Sequence, residues 1–116
     1  MLNQSELEKT GERIRYEREK LNLSREKLSK LIGISAYHIG QIERGERNMS
    51  VTTLIEISRT FHVSLDYIVF GKVETEKKEN ETEINEIVEL LKRCSDKEVM
   101  LISDVTKLIL PHLKKK

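Results

Sequence analysis

The segment from Gly33 to Gly45, GISAYHIGQIERG, has residue types that suit recognition of a polar surface better than catalysis. On an α-helix its residues divide between two sides. Ile39 and Ile42 fall on one side, where they predict contact with a protein core. The other side carries small or polar side chains, which are Ala36, Tyr37, His38 and Gln41.

Side chains of this kind match the edges of base pairs in double-stranded DNA. The major groove of B-DNA admits an α-helix, and each base pair presents a distinct pattern of donors and acceptors there. The Gln41 amide can bond N6 and N7 of adenine, and Ala36 is small enough to touch a thymine methyl group. Tyr37 can donate to a base or to a phosphate. We therefore expect Ala36, Tyr37 and Gln41 to read bases.

A series of short helices is predicted to position this segment. The pattern Ser5-x-x-Glu8 is that of a capping box, and it predicts a first helix that ends near Leu21. Four serines are natural N-caps for the next helices: Ser24 for residues 25–32, Ser35 for 36–44, Ser50 for 51–61 and Ser64 for 65–70. Gly33 is expected to end the second helix with a positive φ angle, which glycine adopts at little cost.

Apolar stripes on these helices indicate one compact, all-α domain of five helices over residues 1–71. The side chains expected to face its core are Ile14, Leu21, Leu28, Leu31, Ile32, Leu54, Ile57, Phe61, Leu65 and Ile68, with Leu7 and either Val69 or Phe70 as further candidates. Residues 72–83, KVETEKKENETE, contain a single aliphatic side chain and many charges, so they predict a solvated linker.

Residues 84–116 predict a helical hairpin. Ser95 and Glu98 have the spacing of a capping box before its second helix, and Pro111 marks the end of that helix. The apolar residues at helical spacing are Ile84, Ile87, Val88, Leu91, Leu101, Ile102, Val105, Leu108 and Ile109. Because a hairpin of about 30 residues cannot bury such a face alone, we expect it to pack on the first domain or on a second copy.

The composition limits the class of protein. No apolar run approaches the roughly 18 residues that a membrane span needs, and the polar N-terminus does not predict a signal peptide. Cys94 is the single cysteine, which suits a reducing, cytoplasmic setting. The net charge of +1 does not argue against nucleic acid, because residues 24–48 hold five Arg or Lys against three Glu.

Several spaced motifs agree with one known family. They are the IR-x-x-RE run of residues 14–19, the spacing from Leu28 to Gly33, the IERG sequence of residues 42–45, and the V-S-x-D-Y sequence of residues 63–67. With these motifs, residues 8–71 resemble the lambda-repressor-like, XRE-family helix-turn-helix domain of bacterial and phage repressors. The resemblance implies a five-helix DNA-binding domain whose third helix reads the major groove.

The resemblance also implies roles for residues around the base-reading side. Phosphate contacts are expected from Ser24, Arg25, Ser35, Arg44, Arg47 and Asn48. Apart from the resemblance, we also expect His38 to touch a phosphate. Arg18 and Glu43 are expected to form an ion pair that joins the first helix to the third. Arg25 and Ser29 stand where the family commonly has glutamine and alanine, so the phosphate contacts need not follow the family in detail.

Other interpretations of single residues remain open from the sequence. Tyr37 could instead pack on Lys30, and His38 could be a solvated surface histidine. Three isolated histidines and one cysteine do not have the spacing of metal ligands, and no nucleophile with a base is recognisable. We therefore expect no metal, no cofactor and no enzyme activity. Cys94 is expected to be a small buried side chain, and Lys114–Lys116 a solubilising tail.

These observations predict a sequence-specific transcriptional regulator, a homodimeric repressor that reads a pseudo-palindromic DNA operator. One recognition helix reads about 4 or 5 base pairs, too few to single out one site among the roughly 10⁶ of a bacterial genome. The C-terminal hairpin would form the dimer interface. Two alternatives are an antitoxin or interaction protein whose C-terminal helices bind another protein, and a regulator that senses a small molecule.

Overall fold

The computed structural model of the protein describes residues 2–73 and 79–114. Over these residues the chain is helical and contains no β-strand, which confirms the predicted all-α class. The elements are α1 (Gln4–Lys20), α2 (Arg25–Ile32), α3 (Ala36–Glu43), α4 (Val51–Phe61), α5 (Leu65–Phe70), α6 (Glu81–Leu91) and α7 (Asp96–Ile109), followed by a 3₁₀ turn at Leu110–His112. None of the helices in the described ranges combines the length and hydropathy needed to cross a membrane.

The four serines predicted to begin helices do so. The side-chain oxygens of Ser24, Ser35, Ser50 and Ser64 each accept a hydrogen bond of 3.0–3.1 Å from the backbone N–H three residues further on. These bonds satisfy donors that the first turn of a helix leaves without an intrahelical partner. The bounds of α2, α4 and α5 are those predicted, and α3 ends at Glu43, one residue earlier than expected.

The predicted start of α1 is wrong by two residues. Asn3 is the N-cap instead of Ser5: its side-chain oxygen accepts from the Glu6 N–H at 2.8 Å, and the Glu6 carboxylate accepts from the Asn3 N–H at 3.2 Å. The sequence offers the same pattern twice, because Asn3 and Ser5 are each followed by a glutamate three residues later. The earlier start places Gln4 in the helix, and its side chain donates to the Gly45 carbonyl at 3.0 Å.

The core draws side chains from all five N-terminal helices. Its buried members are Ile14, Leu28, Ile39, Ile42, Ile57, Phe61 and Ile68. The other expected core residues Leu21, Leu31, Ile32 and Leu54 are half-buried, as are the candidates Leu7 and Val69, whereas Phe70 is exposed. Leu65 is exposed, contrary to expectation, because it is the first residue of the short α5 and this helix enters the core through Ile68 instead.

Two glycines let α1 lie directly against the C-terminal end of α3. A Cβ atom on Gly11 would stand 2.5 Å from the carbonyl oxygen of Glu43 and closer still to that of Ile42. Gly45, which has a φ angle of 72°, packs just as closely on Glu8 of α1. Side chains at these positions would push the two helices apart, so glycine sets the distance between α1 and α3.

The C-terminal helices begin with a turn at residues 79–80. α6 starts at Glu81, three residues before the predicted hairpin, so the predicted linker of residues 72–83 is too long at its C-terminal end. Residues 74–78 of that linker, and the last two lysines of the predicted tail, lie outside the described part of the chain. α7 begins with the predicted capping box of Ser95 and Glu98.

The C-terminal segment packs on the N-terminal domain at the end of α7. Pro111 lies within the 3₁₀ turn and is buried, and this turn packs against α4. The Lys114 ammonium group donates to the Leu31 carbonyl at 2.8 Å. The prediction of a free solubilising tail is therefore wrong for Lys114, because its ammonium group is hydrogen-bonded to this partly buried carbonyl near the end of α2.

We expect Gly11→Ala to lower the free energy of unfolding by about 1–3 kcal/mol, the usual cost of forcing atoms into a packed site. The added methyl group would have to displace the backbone at the end of α3. Urea unfolding followed by circular dichroism measures the change.

Gly40→Ala is the matched control, because a Cβ atom there would meet the movable end of the Arg44 side chain. Alanine at this helical position should leave stability unchanged or raise it by up to about 1 kcal/mol. Equal losses in the two variants would contradict a specific close approach at Gly11.

Candidate nucleic-acid interface

The outer side of α3 presents its polar side chains to solvent. Tyr37 is 73% exposed, and Ala36 and Gln41 are half-buried. On the inner side, Ile39 and Ile42 are 1% and 2% exposed. One side of the helix therefore anchors it in the core, and the other offers a methyl group, a phenol and an amide to a binding partner.

The turn between α2 and α3 aims this outer side away from the domain. Gly33, with a φ angle of 76°, ends α2 in the left-handed conformation, and its N–H donates to the Ser29 carbonyl. Ser35 caps α3 only two residues later. Because Leu28 of α2 and Ile39 of α3 are both buried in the core, neither helix can turn about its axis, and the outer side of α3 keeps a fixed direction.

Glu43 lies in the last turn of α3 and points into the domain, where Arg18 of α1 neutralises it. The guanidinium donates from Nε to Glu43 Oε2 at 2.6 Å and from Nη2 to Oε1 at 3.1 Å. Its Nη1 atom donates to the Leu23 carbonyl at 2.8 Å. Both side chains are buried, and the hydrogen bond to Glu43 raises the pKa of Arg18 above its usual value. A buried pair of this kind is costly to break from one side.

Arg25 shares the same carboxylate. Its Nε atom donates to Glu43 Oε1 at 3.1 Å, and its side chain is partly exposed. A phosphate contact is expected at this position from the family resemblance, but part of the guanidinium is already committed to Glu43. Two cations therefore surround one buried anion, so the acid of α3 adds no net negative charge to the surface.

Four polar residues that follow α3 are exposed, while Gly45 among them is buried; they are Arg44, Glu46, Arg47 and Asn48. Arg44 donates to the Glu46 carboxylate at 2.7 Å, and this hydrogen bond lowers the pKa of Glu46. Arg47 lies beside the outer side of α3, with its Nη1 atom 3.4 Å from Gln41 Oε1. Asn48 is exposed. Both arginines thus have an intramolecular acceptor for part of their guanidinium donors.

His38 is less accessible than the expectation of a solvated histidine implies. The residue is half-buried, and its Nε2 atom is buried without a hydrogen-bond partner among the described residues. Burial lowers the pKa of His38, and the charge of Arg47 lowers it further. A phosphate contact through Nε2 would require the ring to turn. No cation–π contact joins Tyr37 to Lys30 within the same described ranges.

Metal-binding groups are not clustered in the described ranges 2–73 and 79–114. No set of three or more His, Cys, Asp or Glu side chains there could hold a metal ion. Cys94 is half-buried instead of fully buried, and its thiol lies 3.6 Å from the Leu90 carbonyl.

Two contacts that hold α1 in place do not follow from the sequence patterns. Tyr67 donates from its hydroxyl to Glu17 Oε2 at 2.8 Å, and burial together with this bond raises the pKa of Tyr67 to about 12. Arg13 donates to the carbonyls of Ile68 and Val69, at 3.0 and 3.2 Å, near the end of α5. Both contacts join α1 to α5. Because α1 also binds α3 through Arg18, α5 helps to fix the helix on which the position of α3 depends.

We expect Arg18→Ala to lower the free energy of unfolding by about 3–5 kcal/mol, because it removes the main partner of a buried carboxylate. Urea unfolding measures the loss. Combining Arg18→Ala with Glu43→Gln should recover part of it, because the uncompensated charge is then gone.

Arg15→Ala is the matched control for this experiment. The Arg15–Glu19 pair lies on the same helix but is exposed, and exposed pairs contribute about 1 kcal/mol or less. If Arg18→Ala costs no more than Arg15→Ala, the buried pair does not hold α1 to α3.

Comparison with known proteins agrees with the sequence motifs. A helix-turn-helix family model matches residues 14–68. Repressor protein C2 of Salmonella phage P22 is 38% identical over 61 residues, which are 53% of this chain and 28% of that protein. The HTH-type transcriptional regulator ImmR of Bacillus subtilis is 32% identical over 87 residues, which are 71% of this chain and 67% of the relative.

The fold is also similar to the crystal structure of the P22 c2 repressor in complex with synthetic operator 9T. The match has a TM-score of 0.53 and 36% sequence identity, and it covers 54% of this chain and 96% of the other. The chain spans less than two thirds of several curated relatives, including 45% of the regulator DicA of Escherichia coli. With its lambda-repressor-like fold, the chain belongs to the XRE family of helix-turn-helix transcriptional regulators.

Proposed function

We propose that the protein is a sequence-specific, DNA-binding transcriptional repressor that reads its operator with α3. The observation that carries the proposal is the outer side of this helix, where Tyr37 is exposed while Glu43 is buried and paired with Arg18. A helix with a polar, uncharged outer side and a neutralised acid can approach phosphates without repulsion. The similar P22 repressor in complex with an operator supports the same role.

Base recognition would rest on Ala36, Tyr37 and Gln41. The first two occupy the first turn of α3, and Gln41 lies one turn further along. This arrangement suits a helix whose N-terminal end enters the major groove. Gln41 would bond N6 and N7 of adenine, Ala36 would touch a thymine methyl group, and the Tyr37 hydroxyl would donate to a base or a phosphate. A bidentate contact of this type discriminates between bases by about 1–3 kcal/mol.

Phosphate contacts would surround the base-reading side and fix the register of the protein on the duplex. Ser24 and Ser35 mark the N-termini of α2 and α3, whose backbone N–H groups and dipoles favour an anion. Arg25 would contribute the part of its guanidinium that Glu43 leaves free. The remaining contacts would come from Arg44, Arg47 and Asn48 after α3, and from His38 once its ring has turned.

We infer that the repressor acts as a homodimer through α6 and α7. Two half-sites about one helical turn apart multiply the discrimination of a single recognition helix. The hairpin exposes a row of aliphatic side chains, which are Ile84, Ile87, Val88, Leu101, Ile102, Val105, Leu108 and Ile109. An exposed apolar surface of this kind marks an interaction site. Pairing with the same surface of a second copy would form a four-helix bundle.

The same apolar surface would also suit a different protein, as in an antitoxin, and the mass of the full-length protein in solution separates the two cases. A repressor of this kind would act in the cytoplasm, where its operator lies.

Selection of bound duplexes from a random DNA pool tests the proposed function directly. The enriched sequence should be two-fold symmetric, with half-sites about one helical turn apart. A pool that shows no enrichment after repeated selection would contradict sequence-specific binding.

We expect Gln41→Ala to weaken binding to the selected operator by about 1–3 kcal/mol and to relax the preference at one or two base positions. Arg47→Ala should instead weaken binding to all duplexes alike and reduce the slope of log affinity against log salt concentration by about one. Titrations with the operator, its single-base variants and unrelated DNA at several salt concentrations distinguish the two effects.

Arg15→Ala, an exposed arginine of α1 paired with Glu19, is the control and should change neither affinity nor salt slope. A uniform loss for Gln41→Ala, or a base-specific loss for Arg47→Ala, would reverse the assigned roles.

Ile87→Glu should convert the dimer into a monomer, because it places a charge in the apolar surface of α6. Ile87 is 56% exposed, so the substitution costs the isolated chain little. Sedimentation equilibrium measures the mass. Asn85→Glu, on the opposite side of α6, is the matched control and should remain dimeric. A monomeric wild-type protein would favour a different protein as the partner, and a dimeric Ile87→Glu protein would remove α6 from the interface.

A further inference from the structure

The end of the described chain returns to the helix-turn-helix unit and is fastened to it. The 3₁₀ turn packs on α4, and Pro111 within this turn is buried. Two residues after the turn, Lys114 donates to the Leu31 carbonyl at 2.8 Å, and its ammonium nitrogen lies 3.4 Å from Glu56 Oε2 of α4. We call residues 110–114 the clamp.

Lys114 binds α2 at a chemically suitable point. Leu31 lies in the last turn of this helix, where carbonyl groups have no intrahelical donor and the helix dipole favours a cation. Glu56 adds an opposite charge from α4. A single side chain therefore joins the C-terminal segment to two helices of the domain, close to Gly33 and the turn into α3.

Elsewhere the hairpin touches the domain only loosely. Leu108 of α7 faces Leu23 across a cavity of about 440 Å³. Leu91 of α6 and Ile102 of α7 line a second cavity, of about 260 Å³, together with Leu21. Leu91 and Ile102 are thus turned partly towards the end of α1, although the sequence predicts them in a dimer surface. In the described ranges, close packing of the C-terminal segment on the domain is concentrated where the 3₁₀ turn meets α4, so the clamp is where the hairpin is firmly held.

We propose that the clamp sets the angle between the hairpin and the DNA-binding domain, and thereby the separation of half-sites that the dimer accepts. This inference rests on the proposed function as a homodimeric repressor. Pro111 and Lys114 are positioning residues, because they contact α2 and α4 and act through the placement of the two domains. One inserted base pair rotates a half-site by about 34° and moves it by about 3.4 Å. If the hairpin is held rigidly, the second domain cannot bind the shifted half-site. A flexible linker would instead allow binding at several half-site separations.

Operators with one or two base pairs inserted or removed between the half-sites test the clamp. Wild-type affinity should fall by about tenfold or more for each step, because the second domain loses its register. Lys114→Ala should flatten this profile to differences of about threefold, since a loosely held domain can follow the shifted site. Its affinity for a single half-site should not change.

Lys97→Ala, at an exposed lysine near the start of α7, is the matched control and should keep the wild-type profile. A Lys114→Ala profile identical to that of the wild type would overturn the proposal. So would a wild-type protein that binds every separation equally.

Spin labels test the clamp without DNA. Labels on Cys94, between α6 and α7, and on Thr52→Cys, at an exposed position of α4, report the distance between hairpin and domain. The full-length labelled protein is diluted with unlabelled protein, so that distances within one copy dominate. The distribution should be narrow in the parent and in Lys97→Ala. It should broaden in Lys114→Ala and broaden further when Pro111→Gly is added.

The two experiments separate failure of the clamp from failure of the proposed function. A distribution that stays narrow in the double variant would overturn the clamp whatever the DNA result. A wild-type protein that binds no selected duplex but gives a narrow distribution would contradict the repressor function, and the role in half-site separation would fall with it.

Discussion

The buried carboxylate of Glu43 is the constraint on which the rest of the structure depends. Glu43 is the last residue of α3, whose outer side faces solvent. Arg18 and, in part, Arg25 neutralise its charge. Without these cations the buried carboxylate would carry an uncompensated charge, which is strongly destabilising. The bond that joins α1 to α3 therefore also determines the electrostatic character of the surface around α3.

α1 connects α3 to the rest of the domain. Gly11 brings its backbone against the end of α3, and Gln4 holds the carbonyl of the glycine that follows that helix. Arg13 and Tyr67 connect α1 to α5 in the same way. α3 contains only eight residues and is too short to be stable alone. Its direction is therefore a property of the helices around it.

The helices and the outer side of α3 could be predicted from sequence because they depend on short-range patterns. A serine cap followed by an apolar stripe specifies both the start and the inner side of a helix. The start of α1 could not be predicted, since two equivalent capping patterns overlap and the contact of Gln4 with a distant loop favours one. Lys114 meets Leu31 at a separation of 83 residues, and nothing local in the sequence marks that contact. The pairing of Arg18 with Glu43 came from the family resemblance and not from spacing.

Arg44 carries its own substitute for a phosphate, the carboxylate of Glu46 at 2.7 Å. A nucleic-acid phosphate would have to compete with Glu46 for the Nε and Nη2 donors of this guanidinium. Such an exchange yields less free energy than capture by an unoccupied arginine, and it sets free fewer counterions. Non-specific DNA offers only the charge of its phosphates. Arg44 would therefore contribute little free energy to binding there. The protein would then dissociate readily from non-specific DNA and continue its search for the operator.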